Sequence, residues 1–229
     1  MPYGFRVQER STTPSRARGA YAKSLARRQT IVDAALTVIA RDGYSAATLK
    51  QIADEAGLSQ NGLLHHFGSK EQLFVAVLRR RDELDEQRTP DARARLAAIA
   101  AGGTDDGATL DTLRSSIVAL VEHNADVAGL IHMFIRLTAD ATDPEHEAHP
   151  HIAERYEGLR TLGTTAMRAL QSVGEVRTDV SAEHLATMLF ALLDGLQNQW
   201  AFDPELDMAS HADAFVTLLR PQRASEEPA

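Results

Sequence analysis

Residues 48–74 read TLKQIADEAGLSQNGLLHHFGSKEQLF, two short helical patterns separated by a glycine and followed by a third helical pattern. In the first pattern the apolar residues share one helix face, being spaced three and four apart: Leu49, Ile52, Ala53 and Ala56. Thr48 precedes this helix as an N-cap, and Gly57 follows it, where a glycine can adopt the left-handed conformation that turns the chain. The pattern predicts a helix-turn-helix.

The second helix of this unit is predicted to begin at Ser59 as its N-cap and to bury Leu63 and Phe67. Four residues then lie on or near the opposite face: Gln60, Asn61, Leu64 and His65. Gln and Asn side chains can pair with an adenine edge in the major groove, and a leucine can contact a thymine methyl group. This face is therefore predicted to read DNA bases.

A third helix is expected after Gly68, where Ser69 and Gln72 form a capping box and place Lys70 in the first turn, suited to a phosphate. The alternative is an ordinary helical hairpin whose polar residues face water. The glycine turn, the caps and the charge distribution agree with one another and favour the DNA-binding interpretation.

The charge of the chain is strongly asymmetric. The 229 residues carry a net charge of −8, but residues 1–81 hold 13 Lys/Arg against 6 Asp/Glu, a net +7, and residues 82–229 carry −15. A basic N-terminal part with an acidic remainder favours DNA contact by one end only. The chain has no cysteine, no apolar signal segment and no apolar run of membrane-spanning length, so a cytoplasmic protein without disulfides is expected.

Residues 28–78 resemble the DNA-binding domain of TetR-family transcriptional regulators. The resemblance rests on the helix-turn-helix and on the segment F-x-S-K-E-x-L-F, seen here as Phe67, Ser69, Lys70, Glu71, Leu73 and Phe74. It implies DNA contacts at Thr48, Lys50, Ser59, Gln60, Asn61, His65, His66 and Lys70. At Leu64 the family often has a phosphate-contacting tyrosine, and Gly62 replaces a commoner Thr or Ser, so the chain departs from the pattern at these two positions.

The resemblance also implies a second, all-helical domain that dimerises and holds an effector pocket. The rest of the sequence agrees, because helical patterns and no strand patterns follow one another, at about 70–88, 92–101, 110–123, 127–139, 152–173, 182–202 and 208–220. We therefore expect an all-α protein with four segments. These are a flexible basic arm over 1–24, a three-helix DNA-binding domain over 25–81, a larger effector-binding and dimerisation domain over 82–221, and a flexible tail over 222–229.

The segment LATMLFALLDGLQNQWAFDP, residues 185–204, is apolar on nearly every side and must be covered on more than one face. It resembles the penultimate helix of many family members, where the last two helices of each subunit form the dimer interface. The predicted interface residues are Leu185, Leu189, Leu192, Leu196, Phe215 and Leu219. The alternative is a central helix buried within one monomer. A homodimer would read two half-sites about 34 Å apart on a palindromic operator.

The effector pocket is predicted from apolar and methionine residues with polar neighbours. The candidates are Met133, Phe134, Arg136, Leu137, Met167, Phe190 and Asn198. They suit a largely apolar small molecule with one polar or anionic group. The alternative is that these residues are ordinary core. The implied function is a repressor whose effector changes the separation of the two DNA-binding domains.

Three histidines cluster near two prolines with Glu145 and Glu147: His146, His149 and His151. Imidazole and carboxylate groups suit zinc, nickel or cobalt, but the histidines lack a fixed helical spacing, so no metal site and no cofactor are assigned. An enzyme alternative would be a metal-dependent hydrolase with Glu147 or Asp143 as base, yet no nucleophile motif or phosphate loop is present. A nonspecific architectural DNA binder is disfavoured by the acidic remainder of the chain.

Overall fold

The computed structural model describes residues 14–88 and 109–221. Over these ranges the chain is all-α, as expected, with nine helices and no strand. The helices are α1 (Pro14–Asp42), α2 (Leu49–Glu55), α3 (Gln60–Phe67), α4 (Lys70–Arg88), α5 (Leu110–Asp126), α6 (Ala128–Asp140), α7 (His149–Ser172), α8 (Ala182–Trp200) and α9 (Met208–Leu218). The predicted helix over 92–101, the first part of the predicted arm and the predicted tail lie outside the described residues.

The first helix is longer than predicted. We expected a flexible arm up to residue 24 and a helix from about Leu25, but α1 begins at Pro14. A proline suits the first position of a helix because its missing amide hydrogen is not needed there and its φ is already helical. The Arg, Ala, Lys and Leu residues that follow are strong helix formers, so they extend the helix through the stretch that we had assigned to the arm.

Helices α1 to α4 share the first hydrophobic core. Each contributes a side chain with almost no exposure: Ile31 from α1, Ile52 from α2, Leu63 from α3 and Phe74 from α4. Helix α6 adds a whole face to the same core, through Leu130, Met133, Phe134 and Leu137. The DNA-binding domain is therefore packed directly against the C-terminal domain.

Gly129 is the point of closest approach between the two domains. A Cβ atom at this position would lie 2.1 Å from the carbonyl oxygen of Ile39 and 3.1 Å from the Cα atom of Gly43. Real side chains do not come this close to a backbone, so only a glycine lets α6 begin against the end of α1. This contact sets how near the two domains can lie.

The second hydrophobic core belongs to the C-terminal domain. It is formed by one face each of α5, α6, α7, α8 and α9, with Leu110, Ile131, Met167, Leu185 and Val216 among its buried residues. Helix α6 contributes to both cores, because Ile131 points into the second core while its neighbours Leu130 and Met133 point into the first. Both domains therefore depend on the position of α6.

We predict that Gly129→Ala destabilises the protein by about 1–3 kcal/mol, the cost of forcing a methyl group into a filled interface. The measurement is the free energy of unfolding in urea. Gly158→Ala on α7 is the matched control, because nothing lies within 4 Å of a Cβ atom there, and the better helix propensity of alanine should leave stability equal or higher. Equal stability of Gly129→Ala and the wild type would contradict the close approach of α1 and α6.

Candidate functional site

The helix-turn-helix has the caps that the sequence predicted. The Oγ1 atom of Thr48 accepts a hydrogen bond from the amide of Gln51 (3.2 Å), and the side-chain oxygen of Gln51 accepts one from the amide of Thr48 (3.0 Å). Gly57 has φ +65°, the left-handed conformation expected at the turn. Ser59 caps α3 by accepting from the amide of Gly62 (3.1 Å). The two helices are therefore joined by a locally satisfied turn.

Helix α3 is held by its buried face. Leu63 and Phe67 lie in the first core. Most of the residues predicted to contact DNA are exposed on α2, α3 or the first turn of α4: Thr48, Lys50, Ser59, Gln60, Asn61, His65 and Lys70. We call these seven residues the DNA-reading surface. Leu64 and His66 are half-buried, and Leu64 packs partly against the first core, which reduces what it can offer to a base.

Arg28 on α1 fixes the end of α3, a role that the sequence analysis missed. Its guanidinium carbon lies 4.2 Å from the centre of the Phe67 ring, and its Nη1 atom donates to the carbonyl oxygen of His66. A cation over an aromatic face and a hydrogen bond to a helix C-terminus both favour this position. Lys70 is placed in a similar way, with its ammonium nitrogen 5.2 Å from the centre of the Phe74 ring.

Polar contacts join α4 to the segment around α7. Just before α4, the hydroxyl of Ser69 donates to Glu147 (2.5 Å). Further along α4, Asp82 accepts hydrogen bonds from Arg155 at both of its carboxylate oxygens (2.8 and 3.1 Å). Arg79 lies between them and donates through Nε to Nδ1 of His151 (3.1 Å). The C-terminal domain is thus attached to the residue that precedes α4 and to two residues of α4 about one turn apart.

The three clustered histidines do not converge on a common point. His149 and His151 belong to α7, which begins at His149, whereas the predicted helix begins at about residue 152. Each ring has a different partner: His146 accepts from the amide of Ala148 (3.2 Å), His149 donates to the carbonyl of Ala141 (2.8 Å), and His151 accepts from Arg79. Across the described residues no group of three or more His, Asp or Glu side chains is arranged to hold a metal ion.

A cavity of about 480 Å³ lies between α4, α5, α7 and α8. Of the seven predicted pocket residues it is lined by three, Phe134, Met167 and Phe190. The other four do not line this cavity, for two reasons. Met133 and Leu137 pack in the first core, on the face of α6 turned toward the DNA-binding domain, and Arg136 and Asn198 are exposed on their helices.

Charged residues line one part of this cavity, and the sequence analysis did not find them. Arg81 is buried, its Nη2 atom donates to Asn124 (2.6 Å), and its Nε atom lies 3.6 Å from Asp85. Burial lowers the pKa of this guanidinium. In the sequence Arg81 follows Arg79 and Arg80, and a run of three arginines is typical of a solvated helix face. Only the packing of α4 against α5 and α6 buries it.

A second pair of polar residues stands on the opposite wall. The hydroxyl of Tyr156 on α7 donates to Asp194 on α8 (2.7 Å), and Asp194 lines the cavity. Burial raises the pKa of Asp194, although the hydrogen bond from Tyr156 acts in the other direction. Burial also raises the pKa of Tyr156, with the hydrogen bond to Asp194 as the second cause.

The dimer interface was assigned to residues that are already covered. Leu185, Leu189, Leu196 and Leu219 lie in the second core of their own chain. Leu192 and Phe215 are half-buried against the same core. The four buried leucines are thus covered within one monomer, because α7, α9 and α6 pack on the inner face of α8, and the assignment of the six residues to a dimer interface stays a prediction. The large apolar side chains that α8 and α9 leave exposed are Met188 (44%) and Leu218 (68%).

In the described part of the chain no single helix is long and apolar enough to cross a membrane. Helices α5 and α6 have that length and composition only when taken together, and they are bent by 97° at their junction.

Comparison with known proteins supports both the helix-turn-helix and the helical C-terminal domain. The family described as "Bacterial regulatory proteins, tetR family" matches residues 31–77, and the family described as "BetI-type transcriptional repressor, C-terminal" matches residues 131–220. The HTH-type transcriptional repressor KstR2 of Rhodococcus jostii is 30% identical over 159 residues, which cover 69% of this chain and 71% of that protein.

Solved structures share the fold. A TetR transcription regulator from Haloarcula marismortui superposes with a TM-score of 0.64 at 22% identity, over 85% of this chain and 96% of that one. The transcriptional repressor FadR of Thermus thermophilus, in complex with lauroyl-CoA, gives a TM-score of 0.59 at 20% identity, over 88% and 99%. Because both family descriptions match and KstR2 is 30% identical over more than two thirds of each chain, this chain belongs to the TetR family and is a DNA-binding transcriptional regulator.

Proposed function

We propose that the protein is a repressor that binds a palindromic operator as a homodimer and releases it when a small molecule occupies the cavity. The observation that supports this proposal most directly is that α4 extends from the DNA-reading surface to the cavity. The helix begins with Lys70 at the DNA-reading surface, and Arg81, Asp82 and Asp85 near its other end line the cavity. A molecule in the cavity therefore touches the same helix that carries a DNA-binding residue, roughly 17 Å away at 1.5 Å per residue.

The proposed DNA contacts divide into two kinds. Gln60 and Asn61 at the start of α3 are placed to read base edges, because they are exposed while the other face of the helix is fixed in the core. Lys50 and Lys70 are placed to bind phosphates, which fixes the register of the protein on DNA without selecting a sequence.

The proposed release of DNA needs little energy. A coupling of about 1–3 kcal/mol between the cavity and the DNA-reading surface changes affinity by roughly 5 to 150-fold. Two structural features support such coupling. The polar contacts from Ser69 to Glu147 and from Asp82 to Arg155 attach α4 to the C-terminal domain, and Gly129 permits direct packing of α6 on α1.

The proposed dimer surface is the outer face of α8 together with α9. Between His184 and Trp200 the only Asp, Glu, Lys or Arg is Asp194, and its carboxylate is held by Tyr156 on the cavity side. The exposed residues of this stretch of α8 are uncharged and include Thr187, Met188 and Ala191, and on α9 Ala214 and Leu218 are exposed. A stretch of α8 without an exposed charge, beside the exposed Ala214 and Leu218 of α9, suits a helical dimer interface.

The effector itself is not transferred from the comparisons. Lauroyl-CoA belongs to the T. thermophilus protein, and a likeness at 20% identity supports a common fold and not a common ligand. We further propose that the protein works in the cytoplasm, where its DNA target lies.

The proposed function is tested by fluorescence anisotropy of the purified protein on the intergenic DNA beside its own gene, with scrambled DNA as the control. Tight binding to the intergenic DNA alone, lost when one half of the palindrome is inverted, is the expected result. Equal affinity for both DNAs at two salt concentrations would contradict sequence-specific repression and favour the architectural alternative.

We predict that Gln60→Ala and Asn61→Ala each weaken binding to the operator by about 1–3 kcal/mol and relax its sequence preference, because each removes a bidentate base contact. Lys70→Ala should instead weaken binding to operator and scrambled DNA about equally and reduce the salt slope by about one, because it removes a phosphate contact. Anisotropy titrations on both DNAs separate the two effects. Equal losses on both DNAs for all three variants would refute the division of roles.

We predict that Ala191→Glu disrupts the dimer, because it places a charge in the middle of the stretch of α8 without an exposed charge. Sedimentation velocity at micromolar concentration should give a dimer for the wild type and a monomer for the variant. Ala153→Glu, the same substitution at an exposed position of α7, is the matched control and should remain dimeric. A dimeric Ala191→Glu would place the interface elsewhere.

A further inference from the structure

The cavity contains a guanidinium with unused hydrogen-bond donors. Arg81 is only 6% exposed, and one of its terminal nitrogens is occupied by Asn124. Its Nη1 and Nε atoms are buried and have no hydrogen-bond partner among the described residues, although Asp85 stands 3.6 Å from Nε as an ion pair. A buried donor that lacks an acceptor is costly, and the cost is highest for a charged group. An oxygen atom on a bound molecule that accepts from Arg81 would remove this cost.

An unused acceptor lines the same cavity. The Oε1 atom of Gln197 on α8 is buried without a hydrogen-bond partner in the described structure, while its Nε2 atom makes a long bond of 3.5 Å to the carbonyl oxygen of Leu193. Gln197 and Arg81 are both cavity-lining residues. Two lining residues therefore carry hydrogen-bonding atoms that the protein does not satisfy itself, the Nη1 and Nε donors of Arg81 and the Oε1 acceptor of Gln197.

The ionised groups of the cavity argue against a charged ligand. Three carboxylates and two guanidinium groups line it: Asp82, Asp85, Asp194, Arg81 and Arg155. An anion would add to this excess of negative charge in a partly buried site. A cation would be repelled by the guanidinium of Arg81. The carboxylates already have partners, because Asp82 is bound by Arg155, Asp194 by Tyr156, and Asp85 is paired with Arg81.

The remaining wall is apolar and includes Ile117, Leu120, Phe134, Leu159, Met167 and Phe190. The volume of the cavity lies within the range of sites that bind drug-sized molecules. We infer that this cavity binds an uncharged, largely apolar molecule that carries a hydroxyl or carboxamide group, which accepts from Arg81 and donates to Gln197. This inference rests on the proposed function only in taking the cavity as the effector site.

The inference differs from the expectation raised by the sequence, which allowed an anionic group on the ligand. It also separates three chemical classes that one cavity could otherwise accept: neutral alcohols or amides, carboxylates, and quaternary or primary ammonium compounds.

The test on the wild type uses two series of probes with matched apolar parts. One series is decanol, decanoate and decyltrimethylammonium, and the other is naphthol, naphthoate and naphthylmethylammonium, all measured by isothermal titration calorimetry below their micellar concentrations. In each series that binds, the neutral member should bind at least about tenfold more tightly than either ion, since an ion adds an uncompensated buried charge. Equal or tighter binding of an ion, or no binding of either neutral probe, overturns the inference.

The roles of the two residues are tested by variants. Arg81→Met should weaken decanol binding by about tenfold, because a hydrogen bond from a charged donor is lost. Arg160→Met, on an exposed position of α7, is the matched control and should bind decanol like the wild type. Unchanged affinity in a folded Arg81→Met protein would exclude the donor role.

Gln197→Leu keeps the inference testable if Arg81→Met fails to fold. Decyl methyl ether accepts a hydrogen bond but cannot donate one, so the wild type should bind it several-fold more weakly than decanol. In Gln197→Leu this difference should disappear. The same preference for decanol in the variant and the wild type would show that Gln197 does not accept from the ligand.

Failure of this inference and failure of the proposed function are distinguishable. The calorimetry needs no DNA, whereas release of operator DNA is followed separately by anisotropy with decanol present. Binding with the predicted preference but no release supports the ligand class and contradicts the repressor mechanism. Release of DNA by an ionic probe that binds better than the neutral one contradicts the ligand class and supports the repressor mechanism.

Discussion

Helix α4 joins the two halves of the molecule because one continuous face of it is buried along most of its length. Near its start this face is apolar, and Leu73, Phe74, Val77 and Leu78 lie in the first core. One turn later the same face presents Arg81, which is also buried. A helix held in this way moves as one rigid element, which is the basis of the coupling that we propose between the cavity and the DNA-reading surface. The packing of α6 against α1 at Gly129 adds a second connection of the same kind.

The polar contacts along α4 have unequal weight. Exposed ion pairs such as the one between Arg79 and Glu154, at 3.8 Å, contribute little to stability. The pair of Arg155 with Asp82 is bidentate and much less exposed, and the Arg155 guanidinium also lies 4.9 Å from the centre of the Phe134 ring. Both residues of this pair line the cavity and attach α4 to α7, so the effector binding that we propose would bring the molecule against them.

The local features of the DNA-binding domain could be predicted almost completely. The Thr48 and Ser59 caps, the left-handed Gly57 and the inward orientation of Leu63 and Phe67 all depend on residues a few positions apart. The same reasoning misjudged the start of α1, because it gave the basic residues after Pro14 more weight than their helix propensity. It also missed Arg28, whose contacts with Phe67 and with the carbonyl oxygen of His66 cross from one helix to another.

In the C-terminal domain, local sequence patterns indicate the helices but not which face of each helix is buried. The sequence by itself determined most of the described helices, the caps of α2 and α3, and the family, because periodicity and capping are properties of neighbouring residues. Only the tertiary structure decided which face of each helix is covered. It put Leu185, Leu189, Leu196 and Leu219 inside their own chain and turned Met133 and Leu137 away from the cavity. It also buried Arg81, a residue that looks solvated in a run of arginines. The physical reason is that burial depends on the distances between helices far apart in sequence, which no local pattern contains.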